Sequence, residues 1–298
     1  MRSFLALVIF IFSFSSIAET GVYLSSGKFF ESTNVDAVMS EIFSEGEVNY
    51  INIFVHGRGK HPEKGFDVMS EVEKTYGVKT IMFHWPSWKS AIERPVGNAV
   101  NAAEDLSRFL GALNSYVRAH PIRMAGVNLS LLVHSMGNIV FKEMIDNFYH
   151  PGEFNHNLFS NLVLNAADVP AKEHKLWVDR IDFSRQNFVT YNDNDIVLFG
   201  SEQLDRFNDS YEEYEGTRLG KDLEEVTKGR SSYLSQNAKY LNLSKITFTG
   251  HRHFLVDDKK KNVQLKNLFT QIIKGRVPYL NSRDGVYDIK DNTYYFKK

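Results

Sequence analysis

Between residues 50 and 191 the chain switches repeatedly between two hydrophobic periods, and few folds accept that switch. Tyr50-Ile51-Asn52-Ile53-Phe54-Val55 is a short β-branched and aromatic run, and residues 80–84, 129–133, 158–164 and 187–191 are others. Such runs suit a pleated strand buried on one or both faces. Residues 245–249 (Lys-Ile-Thr-Phe-Thr) add a further strand candidate. Between the runs, Ala99, Val100, Ala103, Leu106, Leu110 and Leu113 recur at helical spacing. Ile139, Val140, Met144 and Ile145 form a second such face, and Val263, Leu265, Leu268, Phe269, Ile272 and Ile273 a third. Strands alternating with helices imply an α/β fold with a mostly parallel central sheet and helices on both faces, because parallel neighbours need a crossover between them. No linker interrupts the pattern, so residues 19–298 read as one domain. Residues 201–240 are rich in Glu, Tyr, Ser and Gly and only weakly periodic. They read as an insertion over one end of the sheet, and the polar, aromatic C-terminal stretch reads as a small edge element.

The N-terminus has a different character. Arg2 precedes an unbroken apolar run from Phe4 to Phe12, with small residues at Ser16 and Ala18. That is the pattern of a secretory signal peptide over residues 1–18, cut near Ala18, with an uncleaved anchor as the alternative. The run is shorter than the roughly 20 residues that span a bilayer. No later stretch is apolar enough to do so, and no transmembrane helix is expected in the mature chain. The expectation is an exported protein, periplasmic or secreted. With 0 Cys the chain has no thiol nucleophile and no thiolate metal site. Its 35 Lys+Arg against 36 Asp+Glu show no basic stripe, which argues against a nucleic-acid partner.

Chemistry concentrates at Leu131-Leu132-Val133-His134-Ser135-Met136-Gly137-Asn138. An apolar strand ends, a serine appears, a glycine follows two positions later and a helix begins. A nucleophilic serine needs this layout: the sharp turn exposes its hydroxyl at the carboxyl end of the sheet, and the new helix brings free N–H groups close by. The usual pattern is Gly-x-Ser-x-Gly, and here the first glycine position is Val133. A plain helix N-cap is the alternative role for Ser135. Upstream, Val55-His56-Gly57-Arg58-Gly59 ends an earlier strand in a small-residue loop. The backbone N–H groups of Arg58 and Met136 are the candidate oxyanion donors.

With these residues in view, the sequence resembles the α/β-hydrolase superfamily, within it a little-characterised, mainly bacterial branch of serine-hydrolase-like proteins. The residues that carry the resemblance are His56-Gly57-Arg58-Gly59, Phe83-His84-Trp85-Pro86-Ser87, His134-Ser135-Met136-Gly137-Asn138, Leu164-Asn165-Ala166-Ala167-Asp168-Val169, Tyr191-Asn192-Asp193-Asn194-Asp195 and Gly250-His251. The departures are Val133 and a second histidine, His253. The fold's chain order is serine, then acid, then histidine. The resemblance implies His251 as base and Asp195 as acid. His253 is the alternative base, and Asp168 and Asp193 are the alternative acids. Trp85 and Trp88 read as packing residues. No His, Asp or Glu cluster has metal-ligand spacing and no Gly-rich loop cradles phosphate, so no metal or cofactor is expected. The function implied is an exported serine hydrolase of the carboxylesterase or lipase type acting on a small-molecule or lipid ester. Two alternatives stand beside it: a catalytically inactive hydrolase-fold protein with a binding or envelope-associated role, and an acyltransferase using the same residues.

Overall fold

The computed structural model describes residues 20–59, 61–206, 209–223, 233–247, 250–255, 262–288 and 292–297. The expected signal peptide lies outside the described residues. Ten strands form one sheet: β1 (Gly21–Leu24), β2 (Phe29–Phe30), β3 (Tyr50–Val55), β4 (Lys79–His84), β5 (Asn128–His134), β6 (Asn161–Asn165), β7 (Asn187–Tyr191), β8 (Ala238–Asn242), β9 (Gly285–Asp288) and β10 (Thr293–Phe296). Their order is β2-β1-β4-β3-β5-β6-β7-β8-β10-β9. The strands from β4 through β8 and on to β10 run parallel. Among the described strands, antiparallel pairs lie at the two margins, where β1 meets β2 and β4, and β9 meets β10. The C-terminal stretch is therefore an edge hairpin.

The helices are α1 (Val35–Ser44), α2 (Glu63–Tyr76), α3 (Val96–Asn101), α4 (Ala103–Ala119), α5 (Gly137–Asn147), α6 (His174–Val178), α7 (Ile196–Arg206) and α8 (Val263–Ile273). Alternation along the central strands shows why they sit on both faces. Ile51, Ile53 and Val55 of β3 and Leu129, Leu131 and Val133 of β5 point into one core, with Leu106, Leu110 and Leu113 of α4 and Ile139 and Val140 of α5. Phe54 and Leu132 point into the other, with Val68, Met69 and Val72 of α2 and Leu268, Phe269 and Ile272 of α8. A strand buried on both sides reads as a continuous apolar run, as these do. The last carbonyls of α8 have no helical partner. The sheet supplies one: Ser130 Oγ donates to Ile273 O at 2.7 Å and Asn161 Nδ2 to Ile272 O at 2.8 Å. Gly77 closes α2 in the left-handed conformation, φ 62°, which glycine adopts without steric cost.

Of the strand expected at 245–249, residues 248 and 249 lie outside the described residues, and residues 245–247 form a turn. The parallel strand after β7 is β8, which starts at the end of the stretch read as an insertion. Ile246 and Thr247 turn back on Leu243, both backbone N–H groups donating to its carbonyl, at 2.9 and 2.8 Å. β-Branched propensity lost here to tertiary pairing: Ala238–Asn242 has β7 on one side and β10 on the other. The rest of the described part of residues 201–240 holds the end of α7, a 3-10 turn at Asp209–Tyr214 and a loop reaching Gly220. That glycine is forced: a Cβ would lie 2.1 Å from Ala167 N. Its N–H donates to Ala167 O at 3.0 Å and its carbonyl accepts from Asn192 N at 3.0 Å, stitching the loop between the ends of β6 and β7. No helix among the described residues is long and apolar enough to cross a membrane.

Candidate active site

β5 ends at His134 and α5 starts at Gly137, so two residues make the turn. Ser135 takes φ 54° there. A left-handed non-glycine residue costs about 1–3 kcal/mol and persists only when its surroundings enforce it. Ser135 N donates to Asn165 O at 3.1 Å, and Ser135 O accepts from Asn138 N at 3.0 Å and Asp168 N at 3.2 Å. Asn138 Nδ2 also donates to Ser135 O at 3.0 Å. Space around the turn is minimal. A Cβ on Gly57 would meet Ser135 Cβ at 2.6 Å, and one on Gly137 would meet His56 O at 2.7 Å and Val55 O at 2.8 Å. Val133 needs no glycine because its side chain points into the core and is fully buried. The close approach falls at positions 57 and 137 instead.

Folding brings three residues, distant in sequence, into one line. Ser135 Oγ lies 2.9 Å from His251 Nε2, and His251 Nδ1 lies 2.7 Å from Asp195 Oδ2. A proton on Nδ1 donated to the carboxylate leaves Nε2 free to accept from the hydroxyl. Asp195 is held from behind: its Oδ1 accepts from Val197 N at 3.0 Å and Leu198 N at 3.1 Å, capping α7. The free N–H groups at the start of that helix fix the carboxylate in place behind His251.

The other candidates sit elsewhere. His253 is buried, its Nε2 donating to Gly250 O at 3.0 Å and its Nδ1 lying 3.3 Å from Thr190 Oγ1. Burial pushes it down to about 4, so it braces the loop carrying His251 as a neutral ring. The carboxylate of Asp168 meets Arg94 and Arg218, each at 3.0 Å, and accepts from Ser201 Oγ at 2.7 Å. Asp193 is exposed, and its N–H donates to Ser244 Oγ at 2.9 Å. Two residues quoted above only as part of the resemblance also hold the histidine loop: Asn192 Nδ2 donates to Gly250 O at 3.1 Å and Asn165 Nδ2 to His251 O at 3.4 Å. Side-chain amides gripping backbone carbonyls leave no spacing signal. Only their places at the ends of β7 and β6 could have suggested them. His134, fully buried between Phe254 and His251, is held well below the ordinary histidine range by burial.

The loop after β3 has its own buried support. His56 Nδ1 donates to Gly57 O at 2.7 Å, and His56 Nε2 accepts from His84 Nδ1 at 3.0 Å. Burial pushes His56 down to about 3 and His84 to about 4, so both stay neutral. Trp85 stacks on His56 and donates Nε1–H to His56 O at 2.8 Å. No peptide bond among the described residues is cis, and in a trans peptide the C=O and the following N–H point in opposite directions. With Gly57 C=O turned toward the imidazole, Arg58 N–H points away from it. Neither Arg58 N–H nor Met136 N–H donates to an acceptor among the described residues.

Ser135 and His251 open on a pocket of about 510 Å³. Phe54, Val68, Met82 and Phe254 form an apolar wall, and His56, Gly57 and Arg58 border the serine. Trp88 also lines this pocket, whereas Trp85 is buried beneath the loop. Among the described residues no group of three or more His, Asp or Glu could hold a metal ion.

The sequence from residue 31 to 271 matches the model of a family described as "alpha/beta hydrolase of unknown function (DUF900)". The chain belongs to this family. Its parallel sheet, two helical faces and serine at the turn after β5 are thus those of an α/β hydrolase. No curated protein matches the chain significantly. Among solved structures it is similar to carboxyl esterase 2 of the fungus Tuber melanosporum, at 10% identity over 77% of this chain and 79% of the other, TM-score 0.38. A serine hydrolase without a lid from Xanthomonas campestris shares 14% identity over 78% and 85%, TM-score 0.37. An esterase of Pyrobaculum calidifontis shares 14% over 55% of this chain and 65% of its own length, TM-score 0.29. These likenesses are too distant to transfer an activity to this DUF900 protein.

Proposed function

We propose that this α/β hydrolase is a serine hydrolase of carboxylic esters, with Ser135 as nucleophile, His251 as base and Asp195 as the acid that orients it. One observation carries the reading: a serine held at φ 54° on a strand-to-helix turn, 2.9 Å from an imidazole whose other nitrogen is 2.7 Å from a buried, helix-capping carboxylate. In the reaction, Ser135 Oγ attacks the ester carbonyl while His251 Nε2 takes its proton. The tetrahedral oxyanion accepts from Arg58 N–H and Met136 N–H, which have no partner among the described residues. His251 returns the proton to the departing alcohol, leaving an acyl-serine. Water then attacks this ester, His251 takes its proton, and the acid leaves as Ser135 recovers its hydrogen. Asp195 stays ionised throughout and stabilises the imidazolium.

Residues 19–298 form the hydrolase unit in this reading, with the part of 201–240 ahead of β8 as its insertion. The apolar run behind Arg2 supports export, with cleavage near Ala18. The test is hydrolysis of a p-nitrophenyl ester series by the purified mature protein and by Ser135→Ala. The reading requires turnover that disappears in the variant. Equal turnover in both, or none with any ester, removes it. Fractionation with N-terminal sequencing of the expressed full chain tests export, which requires a mature N-terminus near Glu19.

A further inference from the structure

We propose that the ester cleaved at Ser135 carries an acidic group, a carboxylate or phosphate, held by Arg58 with Arg252 and Lys64 on the pocket wall. This rests on the hydrolase reading above and adds the substrate class to it. Arg58, Lys64 and Arg252 line the pocket, and no Asp or Glu does so among the described residues. A cationic protein would show this everywhere, but the chain has 35 Lys+Arg against 36 Asp+Glu. The one-sided charge belongs to the pocket.

Among the described residues these cations also form no ion pair with a carboxylate. Arg58 Nη2 donates to backbone carbonyls only, those of Ser90, Ala91 at 3.0 Å and Glu93 at 3.3 Å. The guanidinium lies 5.0 Å over Trp88, and its Nε is buried with no partner. Two carboxylates near Arg58 are already engaged, Glu93 with Lys89, and Asp168 with Arg94 and Arg218. Lys64 and Arg252 are exposed and pair with no described carboxylate. Half-burying an arginine without an anion costs free energy. Burial and the charge of Arg94 accordingly hold Arg58 below the ordinary arginine range, although Asp168 opposes them. A substrate anion offsets that cost on binding, and a planar guanidinium matches the geometry of carboxylate or phosphate oxygens. The apolar wall of Phe54, Val68, Met82 and Phe254 takes the hydrocarbon between anion and ester.

The test pairs each acidic ester with a neutral twin of equal length. One arm puts the acid on the acyl side, mono-p-nitrophenyl glutarate against p-nitrophenyl valerate. A second puts it on the alcohol side, 4-carboxyphenyl valerate against phenyl valerate. A third replaces that carboxylate by phosphate. The expected result is a kcat/KM preference of about tenfold or more for the acidic ester in at least one arm. The preference should shrink in about 0.5 M salt and fall severalfold in Arg252→Gln and Lys64→Gln. A preference for the neutral twin, or none in every arm, overturns the inference. Fluorophosphonate labelling of the same samples separates the two failures: labelled protein without acid preference sinks the inference alone, while absence of both labelling and turnover sinks the hydrolase reading. A measurement without turnover settles the inference in that case too. Calorimetry on Ser135→Ala should show monomethyl glutarate binding about tenfold tighter than methyl valerate, and equal binding overturns it.

Discussion

The carboxyl end of the sheet holds two buried polar networks, built from neighbouring strand ends and sharing α7. In the first, Arg94 and Arg218 face Asp168 and Asp205, so that each charge meets two of opposite sign. Ser201 on α7 completes Asp168, and all four charged side chains are buried. In the second, Asp195, His251 and Ser135 run in single file from the start of α7 to the pocket. The first network is closed: each of its four charges is paired inside the protein, and it holds the α7 segment to the loops after β4 and β6. The second is open at one end, where the Ser135 hydroxyl borders a cavity. Burial and charge alone would not tell them apart. The end of the chain of donors and acceptors does.

The largest effects expected are those that break the open network. Ser135→Ala should lower ester turnover by about 10⁴-fold or more, and Asp195→Asn by about 10³–10⁴-fold through the wrong histidine tautomer, with circular dichroism showing retained fold. The closed network should respond in the opposite currency. Asp205→Asn leaves two buried guanidinium groups short of a counter-charge and should cost about 3–5 kcal/mol in urea unfolding, with a far smaller effect on turnover per folded molecule. If Asp205→Asn instead abolishes turnover without loss of stability, the division between the networks is wrong. Gly57→Ala drives a methyl toward Ser135 Cβ, 2.6 Å away, and tilts the peptide that presents Arg58 N–H. A loss of about 10²-fold in kcat with an unchanged melting temperature is expected.

The smallest effect concerns acid. His56 is pushed down to about 3, and His84, His174 and His253 to about 4, all by burial. Unfolded histidine binds a proton near pH 6.5, so below that pH the unfolded chain binds more protons than the native one. Stability is therefore full above about pH 6.5 and lost as pH falls toward 4, by up to about 1.4 kcal/mol per pH unit for each ring. Melting temperature measured from pH 7.5 downward checks this, and a flat profile would contradict the buried neutral rings.

Much of this was legible in the sequence, for identifiable reasons. The strands at Tyr50–Val55 and Asn187–Tyr191 are short runs rich in β-branched and aromatic residues, buried on both faces, which leave a clear trace. Ser135 stands out because strand, turn and helix follow within a few residues. Asp195 and His251 were reached through the family resemblance, and residue order alone left Asp168, Asp193 and His253 beside them. β8 was hidden because Ala238-Lys-Tyr-Leu-Asn carries no β-branched residue and draws its place from two neighbours. α7 was hidden because it buries Ser201, Glu202 and Asp205 and exposes Ile196, Val197 and Phe199. That inverts the pattern expected of a helix packed on an apolar core. The closed arginine–aspartate network left no trace because its partners come from four separate segments, and only coordinates join them.

The central claim is that His251 activates Ser135. Its most direct measurement is the rate at which a fluorophosphonate modifies the native protein and His251→Ala, read by intact mass and peptide mapping. The account predicts one adduct, on Ser135, forming rapidly in the native protein and slowed by about 10³-fold or more in the variant. Equal rates, or an adduct on another residue, would contradict it.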